Sequence, residues 1–284
     1  MPDLKMTTPF RAACLQMNSG SELAANLQQL KQMVIEAAGN GAQFVLSPEY
    51  CLMMDGSGRV MREGALPADG GSVLPELQAL AEQLKIWLLA GSLTLKSDDD
   101  RIVNRSCLIA ADGRIAATYD KIHMFDVQLN AGNIYRESDS YAAGAGAVVA
   151  SLPTAKLGMT VCYDVRFPEL FRQLAMAGAQ IIAVPAAFTR ITGEAHWHVL
   201  LRARAIETGS FILAAAQGGR HESGRETYGH SLIVSPWGEV LAEAGTEPGI
   251  VIADIDMAQS DLARARIPAL AHDRAMSLTV LKPV

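Results

Sequence analysis

A carboxylate, an ammonium and a thiol stand at the ends of three apolar runs in this chain. Glu49 lies in Ser47-Pro48-Glu49-Tyr50, just after the run Gln43 to Leu46. Lys121 lies in Tyr119-Asp120-Lys121-Ile122-His123, just after Arg114 to Tyr119. Cys162 opens Cys162-Tyr163-Asp164-Val165-Arg166-Phe167-Pro168-Glu169, after Leu157 to Val161. Strand ends are where side chains leave a sheet and can converge, so the three groups suggest one constellation. The thiol is its natural nucleophile, and a nearby ammonium lowers the cost of ionising it. The carboxylate can take the thiol proton and later hold an attacking water.

The elements that must position these groups follow from hydrophobic periodicity. Leu23, Leu27, Leu30 and Val34 recur at helical spacing behind Ser21, which reads as an N-cap, and Gly39 and Gly41 stop that helix. Strands Gln43 to Leu46 and Trp87 to Leu93 flank a helix over Val73 to Lys85. Ile102 to Ala110 and Arg114 to Tyr119 read as a hairpin turning at Ala111-Asp112-Gly113. Leu157 to Val161, a helix over Pro168 to Ala177 and Gln180 to Val184 form a second alternating unit. Pro168 suits the first position of its helix, where a missing N–H costs nothing. A helix from about His196 to Thr208, a strand Phe211 to Ala216, a hairpin turning at Pro236-Trp237-Gly238 and a last strand Ile250 to Ile255 complete the body. Met1 to Pro9 and Thr279 to Val284 read as loosely held arms. No Pro-, Gly- or Ser-rich linker divides the chain, and one domain is expected over residues 1–284, with its core about 10–273.

With 284 residues, of which 50% are hydrophobic, the chain can bury a large core. A net charge of −6 without a basic run argues against nucleic-acid or anionic-membrane partners. No apolar stretch is long enough to span a bilayer, and the amino terminus has no signal-peptide core, so a cytoplasmic protein is expected. Cys14, Cys51, Cys107 and Cys162 are too widely spaced for a CxxC motif. His196 and His198 open a helix, where alternate residues diverge, and no third ligand is spaced to join them, so no metal is expected. His123 reads as a loop hydrogen-bond partner. Ala143-Gly144-Ala145-Gly146 lacks the Lys-Ser/Thr pair of a phosphate loop.

The order Glu49, Lys121, Cys162 resembles the nitrilase superfamily, the Glu-Lys-Cys carbon–nitrogen hydrolases, from about Ala12 to Asp273. The superfamily's second glutamate is matched by Glu137 in Tyr135-Arg136-Glu137-Ser138, between the Lys and the Cys. Cys162-Tyr163-Asp164 with Arg166-Phe167-Pro168-Glu169-Leu170, Ala187-Phe188, Thr192-Gly193 and Ala195-His196-Trp197 resemble its Nit-type amidase branch. Leu201 to Glu207, Gly219-Arg220-His221 and Tyr228-Gly229-His230-Ser231 resemble the deaminated glutathione amidases more than the omega-amidases that act on α-ketoglutaramate.

The resemblance implies a four-layer α-β-β-α sandwich and a small linear amide cleaved to an acid and ammonia through a Cys162 thioester. Glu49 is implied as acid and base, with Lys121 and the Tyr163 N–H holding the oxyanion and Glu137 positioning Lys121. No cofactor or metal is implied, and a homodimer or higher homo-oligomer is. Branch substrates carry a distal carboxylate, for which Arg166 is the candidate partner; its alternative is a structural ion pair with Glu169 or Asp164. Thr192 would add a hydroxyl, and Phe188 or Trp197 an apolar wall. The chain departs from the superfamily at Tyr141 to Ala147, an Ala/Gly run where Pro-Gly-Asp is usual, so the pocket edge is expected to differ. The alternatives to the repair amidase are an omega-amidase and a catalytically silent oligomeric scaffold.

Overall fold

A computed structural model describes residues 10–54, 58–97, 101–130 and 133–281. Its first half runs β1 (Phe10–Gln16), α1 (Leu23–Gly39), β2 (Phe44–Leu46), α2 (Gly58–Glu63), α3 (Val73–Leu84), β3 (Trp87–Lys96), β4 (Ile102–Ile109), β5 (Ile115–Asp120), β6 (Asp126–Asn130) and β7 (Asn133–Arg136). The second half runs β8 (Val148–Ser151), β9 (Lys156–Met159), α4 (Pro168–Met176), β10 (Ile181–Ala183), α5 (Arg190–Thr208), β11 (Phe211–Ala214), β12 (Gly218–Arg220), β13 (Glu226–Tyr228), β14 (Leu232–Val234), β15 (Val240–Glu243), β16 (Gly249–Ile255) and α6 (Ala258–Arg266).

Twelve of these strands form two six-stranded sheets, ordered β16-β1-β2-β3-β4-β5 and β15-β14-β11-β10-β9-β8. In each, a parallel centre built by strand–helix–strand crossovers is flanked by antiparallel strands. Side-chain alternation makes the layers. Along β1, Ala12 and Cys14 pack with Phe44, Leu46 and Leu89 toward the second sheet, whereas Ala13 and Leu15 pack with Val45 and Leu88 under α1 and α3. Leu170, Phe171 and Leu174 of α4 and Trp197, Leu201 and Ala205 of α5 cover the outer face of the second sheet. The result is the α-β-β-α sandwich, in which the central strands β2, β10 and β11 are buried on both faces and read as continuous apolar runs, whereas the edge strands are partly exposed.

Several elements depart from the expected boundaries for local reasons. Ser21 does not cap α1; its hydroxyl donates to Glu222 at 2.8 Å and the helix begins at Leu23. Helix α5 starts at Arg190, six residues before the expected His196; its first turn is masked in sequence by Gly193, a poor helix former that is kept because it lies hard against the Tyr228 ring, where only a residue without Cβ fits. Helices α2 and α6 and the hairpin β6–β7 carry too little apolar periodicity to be read. The expected hairpins β4–β5 and β14–β15 form, and Pro168 takes the first turn of α4. No described helix is long and apolar enough to cross a membrane. The segment Met1 to Pro9 lies outside the described residues, as do 282–284, while Val280 and Leu281 stand exposed.

Candidate active site

Strand β2 ends at Leu46, and the turn after it drops Glu49 between the sheets, where the carboxylate is buried. Three donors hold it. Asn104 Nδ2 and Lys121 Nζ reach Oε1 at 2.9 and 3.0 Å, and the Ala187 N–H reaches Oε2 at 2.8 Å. Behind the turn, Gln217 Nε2 donates to the Glu49 carbonyl at 3.0 Å, tying it to the second sheet. Gly91 is required here, since a Cβ would stand 2.7 Å from both the Pro48 carbonyl oxygen and Pro185 Cβ.

Lys121 follows β5 and is 2% exposed. Besides Glu49 it meets both oxygens of Glu137, at 2.9 and 2.8 Å. Glu137 is fixed in turn by the Tyr50 hydroxyl at 2.9 Å and the Phe125 N–H at 2.6 Å. The Ala/Gly run does shape this region: Gly144 N–H donates to the Lys121 carbonyl at 2.8 Å, and Tyr141 lines the cavity. Burial alone would push the Lys121 ammonium down, but Glu137 and Glu49 hold it well above its ordinary value.

Cys162 sits on a strained elbow, with φ of 48° in the left-handed region and its N–H on the Pro185 carbonyl at 2.9 Å. Buried Asp164 rivets the elbow, accepting from the Val161 N–H (2.8 Å), the Tyr119 hydroxyl (2.7 Å) and the His123 N–H (3.1 Å). His123 also pairs with it through Nδ1 at 2.7 Å and stacks on Phe167, the loop role expected of it. Burial and then Glu49 push the Cys162 thiol well above its ordinary value, and Lys121 opposes this only in part. Burial is the larger cause, and the Lys121 ammonium that opposes it is shared with Glu49 and Glu137. These influences favour the neutral thiol at Cys162.

These side chains share one cavity of about 160 Å³, lined by Glu49, Lys121, Glu137, Cys162, Tyr163 and Phe188, among others. Thr192 also lines it, but its hydroxyl is engaged with the Thr189 hydroxyl at 2.7 Å. Two expected residues do not line it. Trp197 is fully buried behind Phe188, ring centroids 5.0 Å apart, with Nε1 on the His230 carbonyl at 2.8 Å; it supports the wall without being the wall. Arg166 points to the far side of Phe188 and Tyr163, 5.1 and 5.9 Å from their ring centroids, with both terminal nitrogens 3.3 Å from His196 Nδ1. Neither Glu169 nor Asp164 is among its described ion-pair partners, so both earlier readings of Arg166 give way to a stacked, histidine-bonded side chain.

Sequence reading missed Tyr50, Asn104 and Arg225 in this region. Tyr50 adjoined a recognised motif, whereas Asn104 and Arg225 come from a strand interior and a loop with no local signal. Elsewhere, His198 does find companions: its Nε2 and His230 Nδ1 both lie 2.8 Å from Glu243 Oε1, and the three ligand atoms lie within 4.8 Å of one another. The sequence offered no hint of this, because the three come from a helix, a turn and a strand. As they stand, the two imidazoles satisfy the carboxylate by hydrogen bonding.

The family model for carbon-nitrogen hydrolases matches residues 11–265. The deaminated glutathione amidase of Yersinia enterocolitica is 41% identical over 271 residues, covering 94% of each chain. The crystal structure of the Caenorhabditis elegans NitFhit protein superposes with a TM-score of 0.88 at 36% identity, over 95% of this chain and 66% of that longer one. Saccharomyces cerevisiae Nit3, a member of branch 10 of the nitrilase superfamily, gives 0.84 at 28% identity, over 92% of this chain and 95% of its own.

Proposed function

Because the chain belongs to the carbon-nitrogen hydrolase family and is an amidase of it, we propose that it hydrolyses deaminated glutathione through a Cys162 thioester. The observation that carries the chemistry is the meeting of Lys121 Nζ with Glu49 and Glu137, all within 3.0 Å, in a cavity that Cys162 also lines. The substrate is supported by the identity to an amidase of that name over nearly the whole of both chains.

In the proposed first step Glu49 takes the thiol proton while Cys162 Sγ attacks the amide carbon. The developing oxyanion is held by Lys121 Nζ and the Tyr163 N–H, which leaves the elbow at the start of a short helical turn. All three Lys121 donors are engaged at rest, so one contact to Glu137 loosens as the oxyanion forms. Glu49 then returns its proton to the leaving nitrogen, the C–N bond breaks and the thioester remains. Water, deprotonated by Glu49, attacks the thioester, and the acid departs with the thiol restored. For a primary amide the leaving group is ammonia. For deaminated glutathione, whose scissile nitrogen belongs to cysteine, it is the amine of cysteinylglycine. Glu137 positions Lys121, while Tyr163 and Phe188 wall the acyl group and Thr192 closes the pocket. We read the chain as one domain working in the cytoplasm as a homodimer or larger homo-oligomer. The exposed apolar residues Met276, Leu278 and Val280 support such association.

The test is turnover of deaminated glutathione, followed by release of cysteinylglycine, beside α-ketoglutaramate, followed by release of ammonia, with Cys162→Ala protein as the blank. Cys162-dependent turnover of the first substrate is expected. Preference for the second would make the enzyme an omega-amidase with the same mechanism. Turnover that survives Cys162→Ala would refute the thioester.

A further inference from the structure

Three described cations line the cavity: Lys121, Arg136 and Arg225. Lys121 is shared between two carboxylates, and Arg136 is exposed with Asp126 nearby. Arg225 is half-buried and under-bonded. Among the described residues its guanidinium makes one hydrogen bond, from Nη2 to the Ala187 carbonyl at 3.2 Å, and its Nε is buried without a partner. No carboxylate stands within ion-pair distance of it among the described residues. The neighbouring acids are engaged elsewhere, Glu226 with Arg190 at 2.9 Å and Glu222 with Ser21 at 2.8 Å.

The position is built. The hairpin β12–β13 docks on the cavity wall through the Tyr228 N–H to the Phe188 carbonyl at 2.9 Å, and buried His221 bonds Thr227 Oγ1 at 2.7 Å across the hairpin. The guanidinium then lies over the Tyr135 ring, 5.4 Å from its centroid. A buried Nε–H left without an acceptor is costly, and a planar guanidinium at a cavity edge matches a carboxylate.

We infer that Arg225 is the carboxylate anchor of this pocket, the role that sequence spacing had offered to Arg166. This deepens the amide-hydrolase reading above and rests on it. The proposed substrate has a carboxylate on its acyl side and another on the glycine of its leaving group. Either presents the same chemistry to Arg225.

Calorimetric titration of Cys162→Ala protein separates the two. Glutaramate, with one carboxylate and one amide, probes the acyl side, and cysteinylglycine beside its C-terminal amide probes the other. Adding Arg225→Gln should weaken one of the two carboxylate probes about 10- to 100-fold, the loss expected for a charge-assisted bidentate contact. Arg225→Lys, which keeps the charge but not the fork, should recover part of that loss and guards against misfolding of the glutamine variant. Unchanged dissociation constants for both probes in Arg225→Gln, or no binding of either probe to protein retaining Arg225, would overturn the assignment. Failure of wild-type protein to cleave deaminated glutathione would refute that substrate alone, because the binding arms judge Arg225 without turnover.

Discussion

Lys121→Met should cost the protein both rate and stability, and the two losses should be separable. At rest the ammonium neutralises two buried carboxylates, with Nζ–O distances of 3.0 Å to Glu49 and 2.8 Å to Glu137. Deleting one partner of a buried pair costs about 3 to 5 kcal/mol, because the charge left behind has neither water nor a counterion. For a chain of 284 residues the unfolding entropy is roughly 0.6 kcal/mol per kelvin, so the melting temperature should fall by about 5 to 8 °C. The loss of an oxyanion donor should lower turnover by roughly a hundred- to a thousandfold.

Without Lys121, the Glu49 and Glu137 carboxylates are left without their shared counterion. Adding Glu137→Gln removes one charge and should recover most of the melting temperature without restoring turnover. Thermal melts and steady-state kinetics on wild type, the single variant and the double variant decide the matter. A Lys121→Met protein as stable as wild type, or a double variant no more stable than the single one, would refute the picture of an ammonium holding two carboxylates.

Three further outcomes are expected. The thiolate ultraviolet band, taken as wild type minus Cys162→Ala, should not appear below pH 9.0, since burial and Glu49 hold Cys162 above that value; burial likewise raises Cys51 to about 11 and Cys107 to about 12, which keeps the background clear. A midpoint near neutrality would point instead to a preformed thiolate–ammonium pair. Burial lowers the His221 imidazole below its ordinary 6.5, so the stability it confers is complete above that pH and drains away as pH falls through the folded value; melts from pH 7.5 to 5 should show this slope, and His221→Gln should flatten it. Gly91→Ala should lower stability and turnover together, because its Cβ would meet the Pro48 carbonyl at 2.7 Å and displace the turn that carries Glu49; a variant with native kinetics would show that the turn yields without moving the carboxylate.

The reactive groups were legible in the sequence because each terminates an apolar strand, and strand ends of facing sheets have to meet. That logic places Glu49, Lys121 and Cys162 without coordinates, and the amidase resemblance adds Glu137. It fails for Arg166. Four residues beyond Cys162 says how near a side chain is along the chain and nothing of the direction it takes. Here the short turn from Cys162 to Arg166 carries the guanidinium round to the outer side of Phe188 and Tyr163, against His196. Trp197 misled for a related reason: one turn beyond Gly193, it follows the face of α5 that must pack inward, so it backs the wall without lining it.

What no local pattern reveals is how the carboxylates are kept usable. Asn104, the Ala187 N–H, Tyr50 and the Phe125 N–H come from four separate places, and each supplies one donor to a glutamate that Lys121 alone would leave under-bonded. Their common effect is to hold the two carboxylates around one ammonium, while burial and then Glu49 raise the Cys162 thiol well above its ordinary value. In the proposed reaction a neutral thiol attacks only as Glu49 takes its proton, so attack and deprotonation would be coupled in one step. The donors that hold Glu49 then matter as much as the thiol, since they fix where its carboxylate stands beside Cys162.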